Sequence, residues 1–267
     1  MILKAVLFAA LFGFFALGAS ALFSLARRKN RREVYFGGSL ADALFLLFCV
    51  ACAFLLGAVL GGKAGRIFAG ENADFGAFIT SVFINAFCAA AVFFAASKMK
   101  NPPDFFRKKG AWAASLETIK GAGWIVLLMP VLSAIFLLWS GILTACGVEA
   151  PKQDVVRMFT NLENPAEIGV AVLAITVFAP VAEELVFRGG LYLILKKYAG
   201  AGVAALATSL VFALVHANLY AFAAIFFLSL ALILMFEKFG DLRVCMGAHA
   251  AFNALNAVSI ICGWSEV

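Results

Sequence analysis

Charge is scarce in this 267-residue chain: only 13% of its residues are Asp, Glu, Lys or Arg, where a soluble domain carries about 25%. Histidine is scarcer still, at two residues. No long polar or low-complexity linker separates the apolar segments, and no internal repeat is visible. The apolar stretches are continuous and do not alternate with period two, which argues against a closed β-barrel. So little charge excludes an ordinary soluble domain, because helices that face lipid are what such a composition suits.

What is present is hydrophobic: 64% of the residues are apolar and 14% aromatic. Apolar runs fall at about 2–25, 38–61, 77–97, 122–146, 168–198, 201–219, 220–237 and 244–264. All but the longer run 168–198 are near the roughly 20 residues a helix needs to cross a bilayer. The expected fold is therefore all-α, a polytopic transmembrane bundle of about eight spans. The organisation expected is a set of N-terminal transmembrane helices over 1–147, with a basic loop, and a second helical unit over 165–264. The six cysteines, Cys49, Cys52, Cys88, Cys146, Cys245 and Cys262, lie in or beside apolar runs and read as small packing residues.

The net charge of +6 is not a nucleic-acid signature, because the basic residues sit in short clusters between apolar runs. Arg27, Arg28, Lys29, Arg31 and Arg32 follow the first run. Lys98, Lys100, Arg107, Lys108, Lys109 and Lys120 follow the third. The loops after the second and fourth runs hold only Lys63 with Arg66, and Lys152 with Arg157. Basic loops stay in the cytoplasm, so both termini are expected outside and the first run is expected to be an uncleaved span. The loop 98–121, with Phe105, Phe106, Trp112 and Leu116 among its charges, is expected to include an amphipathic surface helix.

Ionisable groups inside a membrane are costly and mark function. The fifth run, too long for a simple span, carries Glu183, Glu184 and Arg188. Arg188 stands four residues beyond Glu184 on the same helix face and can pair with it. Glu183, about 100° away around the helix, is left without a local cation. An unpaired carboxyl group in such a site suits general acid–base work. Pro180 and the pair Gly189-Gly190 are expected to kink or loosen this run. In the sixth run Phe212 lies one turn before His216 and can wall its imidazole. In the last run His249 and Asn253 share a face and can aim two N–H donors at one oxyanion, with Asn256 behind them. Measured along straight helices, the depths of His216 and His249 bracket the glutamates without coinciding. A tilt, or a break near Gly200, must bring them together.

Taken in order, Glu183-Glu184-Leu185-Val186-Phe187-Arg188, Phe212 through His216, and His249 through Asn253 resemble the EExxxR, FxxxH and HxxxN motifs of the CPBP (Abi/CAAX-protease) intramembrane protease family. Its best-known branch is the type II CAAX prenyl endopeptidase. The resemblance covers about 165–264; the N-terminal runs resemble no named family. It implies that Glu183 and His216 activate a water, that His249 and Asn253 form the oxyanion site, and that Glu184 and Arg188 hold their helix in place. It implies a membrane-associated protein or peptide as substrate. It allows either a water activated by glutamate alone or a Zn²⁺ held by Glu183, His216 and His249; no HExxH helix is present. A cysteine nucleophile is disfavoured, since the nearest thiol, Cys245, lies outside the three motifs. A cavity reached from the cytoplasm beside Arg188, Lys196 and Lys197 is expected. The competing functions are an ion- or proton-coupled transporter, which membrane Glu, Arg and His also build, and a non-enzymatic immunity or scaffold protein. The first half of the chain has no segment matching the Glu/Arg run, as a transporter repeat would require.

Overall fold

A computed structural model describes residues 2–27, 33–106, 108, 110–148, 157–159, 161–162 and 164–263, with side chains in the first helix from Gly13 onward apart from Phe14. Of the basic residues invoked for orientation, Arg28, Lys29, Arg31, Arg32, Arg107, Lys109 and Lys152 lie outside the described residues. Among the described residues the chain forms eight helices and no strand: α1 (Ile2–Ala26), α2 (Leu40–Ala69), α3 (Ala73–Lys98), α4 (Ala111–Ala145), α5 (165–199), α6 (201–215), α7 (Phe222–Phe239) and α8 (Leu242–Ile261). Six helical stretches are long and apolar enough to cross a bilayer, with 165–215 taken as one. The protein is an all-helical, polytopic membrane protein.

Local chemistry fixes the helix ends. Ser39 and Asp42 form a reciprocal capping box at the start of α2. Asn164 accepts from the N–H groups of Ala166 and Glu167, with Pro165 opening α5. Asp241 caps α8 by accepting from the Arg243 N–H. Between α7 and α8, Gly240 takes the left-handed conformation (φ 60°) and turns the chain within two residues.

Gly200 makes the decisive turn. Its φ of 81° and ψ of 161° interrupt the helical stretch 165–215, a conformation that glycine adopts without steric penalty. α6 then runs back along α5, so that Phe187 meets Phe212 edge to face with ring centroids 5.0 Å apart. This break resolves the mismatch in depth that straight helices would impose.

The helix expected within 98–121 begins at Ala111 and runs on without a break into the fourth span. Residues from 111 are the opening turns of α4, a 35-residue helix that at 1.5 Å per residue is about 50 Å long and overshoots a hydrocarbon core of about 30 Å. Ahead of it, Phe105 is buried against Phe93 and Phe106, and its carbonyl accepts the Leu242 N–H.

α2 lies along α3, and α4 along α8. The α4–α8 crossing is backbone on backbone. A Cβ on Gly121 would stand 1.9 Å from the Val244 carbonyl oxygen, and one on Gly247 would stand 2.0 Å from that of Thr118. Small residues permit such approach, and close approach is what drives helix association in lipid. One core runs from Leu25 and Leu46 through Ile125 and Leu185 to Leu232 and Ala248, so the N-terminal helices and the segment from 165 onward share it. The six cysteines are free thiols. Cys49 and Cys52, three residues apart on α2, line a shallow apolar groove against α3.

Basic residues gather at one end of the bundle. There Lys196 pairs with Glu237 at 2.6 Å, Lys197 donates to the Gly38 carbonyl, Lys238 donates to the Ser24 carbonyl at 2.7 Å, and Arg243 pairs with Asp241 at 2.8 Å. The opposite end is tied mostly by neutral and acidic groups, with Arg157 4.0 Å from Asp74. Asn72 donates to Glu167, Trp139 donates to the Leu219 carbonyl, and Tyr220 donates to the Val148 carbonyl.

Candidate active site

The site begins with a proline. The backbone of α5 widens into a π-helical turn over Ala174–Phe178, closed by the Ala179 N–H donating to the Ala174 carbonyl. The next bond in that register would join residue 180 to the Ile175 carbonyl. Residue 180 is Pro180, which has no N–H to give. A part-buried carbonyl without its helical donor needs another, and it has one: Asn253 Nδ2 of α8 donates to the Ile175 oxygen at 2.7 Å. A second π-helical stretch, Glu184–Tyr192, follows. The Pro180 and Gly189-Gly190 expectations thus take the form of wide turns, one ending before Pro180 and one running from Glu184 through the two glycines.

Glu184 and Arg188 form the expected pair. Arg188 Nη1 lies 2.9 Å from Glu184 Oε1, and both side chains are fully buried. Arg188 Nη2 donates to Ser229 of α7, at 2.9 Å to Oγ and 3.3 Å to the carbonyl. The guanidinium lies over the Phe212 ring, 4.5 Å from its centroid, a favourable cation–π geometry. Arg188 is thus engaged by an anion, a hydroxyl, a carbonyl and an aromatic face. The sequence-based expectation of a cavity opening beside Arg188 fails here, because Arg188 is sealed in the interior. The exposed edge of the site is at Glu183 and His216, whose side chains are 24% and 30% accessible.

His249 is buried between the two glutamates. Its Nδ1 lies 2.9 Å from Glu184 Oε1, and its Nε2 lies 3.7 Å from Glu183 Oε2. The adjacent glutamates, about 100° apart around α5, approach one imidazole from its two sides. His216 Nε2 lies 3.9 Å from the same Glu183 oxygen, and its Nδ1 lies 2.7 Å from the Phe212 carbonyl. A carbonyl can only accept, so His216 Nδ1 carries the hydrogen and a neutral His216 offers Nε2 as a lone pair. By the same logic His249 Nδ1 donates to the Glu184 carboxylate.

Phe212 is the hub. Its ring touches His216 (centroids 4.8 Å), His249 (5.8 Å), Phe187 and Arg188. Asn253 stands on the His249 face of α8, tied to Ile175 as described. Asn256, expected behind the pair, is exposed and donates to the Phe252 carbonyl of its own helix. Cys245 is buried, with its thiol donating to the Leu232 carbonyl at 3.3 Å.

Three partners escaped the sequence: Ser229, Phe187 and the Ile175 carbonyl. A lone hydroxyl in the apolar run Phe226–Ile233 was the available signal for Ser229. The Ile175 carbonyl was readable only by pairing Pro180 with a π-helical register, which no local pattern announces.

Ligands of one tetrahedral Zn²⁺ stand about 3.4 Å apart, whereas both imidazole nitrogens stand farther than that from the Glu183 oxygen. Among the described residues no group of three or more His, Cys, Asp or Glu has the arrangement of a metal site. Glu183, His216 and His249 are not gathered into the metal centre that the resemblance allows.

Carboxylates and imidazoles from three helices converge at one place within the bundle. Residues 165–255 match the family described as type II CAAX prenyl endopeptidase Rce1-like, a span that contains all three motifs. That segment is similar to type II CAAX prenyl endopeptidases of the Rce1-like kind. No curated protein and no solved structure matches the chain.

Proposed function

We propose that this protein hydrolyses a peptide bond of a membrane-associated protein or peptide, using a water activated by Glu183 and His216. The observation that carries the reading is the 3.9 Å between Glu183 Oε2 and His216 Nε2. A water at hydrogen-bond distance, about 2.8 Å, from both atoms subtends about 90°. That is close to the angle between its own two hydrogens, so it donates one to each and turns a lone pair outward.

As the water oxygen attacks the substrate carbonyl carbon, Glu183 takes one proton and the carbonyl oxygen becomes an oxyanion. Collapse breaks the C–N bond and the departing amine takes the proton from Glu183, leaving a carboxylic acid and an amine. His249, with Nδ1–H held on Glu184, turns Nε2 toward the water; in its protonated form it donates to the oxyanion beside the second N–H of Asn253. The Glu184–Arg188 pair is internally neutral and serves to hold His249 and α5. Phe212 keeps bulk water off these groups, which strengthens each charge–dipole interaction. Residues 165–264 supply this machinery, the helices of 1–147 brace it, and the basic end of the bundle lies on the cytoplasmic side.

The test is a peptidase assay of the purified full chain in detergent and in liposomes, on peptides ending in a farnesylated CAAX sequence and on unprenylated transmembrane peptides. Glu183→Gln and His216→Ala should each lower kcat by at least about 100-fold with unchanged melting. A Glu183→Gln protein as active as wild type sinks the assignment of the base. Proton flux through liposomes with no cleavage of any peptide points to a transporter.

A further inference from the structure

Hydrolysis inside a bilayer requires a supply of water as well as a base. Among the described residues, five buried side-chain atoms have no hydrogen-bond partner: Glu183 Oε2, Glu184 Oε2, Arg188 Nε, Thr208 Oγ1 and Ser209 Oγ. All five lie on the α5–α6 hairpin. Thr208 and Ser209 are the odd members. Helix hydroxyls elsewhere in this protein donate back to the carbonyl four residues earlier, as Thr80, Thr144 and Thr176 do. Thr208 and Ser209 are fully buried and do not.

Their positions put them near the site. Thr208 lies one turn before Phe212, and Ser209 shares a helix face with Phe212 and His216. Phe212 packs on Phe187 and under Arg188 across the hairpin. The two hydroxyls therefore lie in α6 about one turn from the ring that covers Arg188, on the Gly200 side of that ring. Buried polar groups without protein partners are met by ordered water, which needs two to four polar partners in one place. A site combining two hydroxyls, a guanidinium N–H and a carboxylate oxygen meets that need.

We propose that Thr208 and Ser209, with Arg188 Nε and Glu184 Oε2, bind a short file of ordered water that feeds the hydrolytic position at Glu183 from within the bundle. The substrate then occupies the exposed edge at His216, and the ordered water lies on the opposite, basic-end side of Phe212. This rests on the hydrolytic reading for its purpose, while the water site itself stands on the five polar atoms.

X-ray hydroxyl-radical footprinting of the full detergent-solubilised chain, read by mass spectrometry, tests it. Radiolysis of bound water oxidises neighbouring side chains even where bulk solvent does not reach. Phe212, fully buried, should be oxidised in the wild type, and its oxidation should fall at least fivefold in Thr208→Val/Ser209→Ala. If the double variant does not fold, Ser209→Ala alone should give at least a twofold fall. Glu183→Gln keeps both hydroxyls and should retain the labelling while losing hydrolysis. An unlabelled Phe212 in the wild type, or equal labelling in the hydroxyl variants, overturns the water file. An active Glu183→Gln protein overturns the base and leaves the labelling result to stand on its own.

Discussion

Asn253 donates to the Ile175 carbonyl across the interface between α8 and α5, a carbonyl that Pro180 leaves without its helical partner. One proline thereby couples the glutamate helix to the helix that carries His249. Asn253→Ala strands a part-buried carbonyl, which costs about 1–3 kcal/mol. Pro180→Ala supplies a backbone N–H that can take over that carbonyl. The Asn253→Ala loss should therefore shrink by at least half in the Pro180→Ala background. Thermal unfolding of the four proteins in one detergent measures it; equal losses in both backgrounds would show that Pro180 is not the reason for the contact.

Glu184 and Arg188 are both fully buried, so removing one leaves the other charge uncompensated. Glu184→Gln or Arg188→Met should each destabilise by about 3–5 kcal/mol, and the double variant by less than the sum. Chemical denaturation in mixed micelles checks this. Additive losses would mean that the two side chains do not depend on each other.

Gly247 sits two residues before His249, and its missing Cβ admits the Thr118 carbonyl. Gly247→Ala and Gly121→Ala must push α4 and α8 apart, at a cost of about 1–3 kcal/mol or more. Because α8 carries His249, cleavage should fall by more than tenfold even at temperatures where the variant stays folded. Gly123→Ala, with open space around its position, is the control and should change neither melting nor rate. Wild-type kinetics in Gly247→Ala would show that the crossing does not set the site.

The donor spacing around Glu183 is wider than a tetrahedral metal site. Incubation with EDTA or 1,10-phenanthroline, followed by removal of the chelator, should leave peptidase activity within twofold. Loss of activity that returns on adding Zn²⁺ would show that Glu183, His216 and His249 close onto an ion.

Several features were legible without tertiary information because they are local. The Glu184–Arg188 pair follows from helix geometry alone, since residues four apart share a face. Phe212 beside His216 follows the same rule. The apolar runs announced helices in a membrane, and the clustered Lys and Arg residues foretold the basic end. The start of α4 was misjudged because the charges in 98–121 read as a loop, while helix propensity carries the span out past the bilayer surface.

By itself, the sequence determined the environment of this protein, the helical class, the identity of the polar residues buried in it and the contacts within single helices. Tertiary structure alone decided which side chains meet across helices: Glu183 with His216 and His249, Asn253 with Ile175, Arg188 with Ser229. The physical reason is that in lipid the apolar faces of helices are nearly equivalent partners. Register and crossing come instead from a left-handed glycine at 200, a missing N–H at 180 and two absent Cβ atoms at 121 and 247, each of which acts only once the helices are packed.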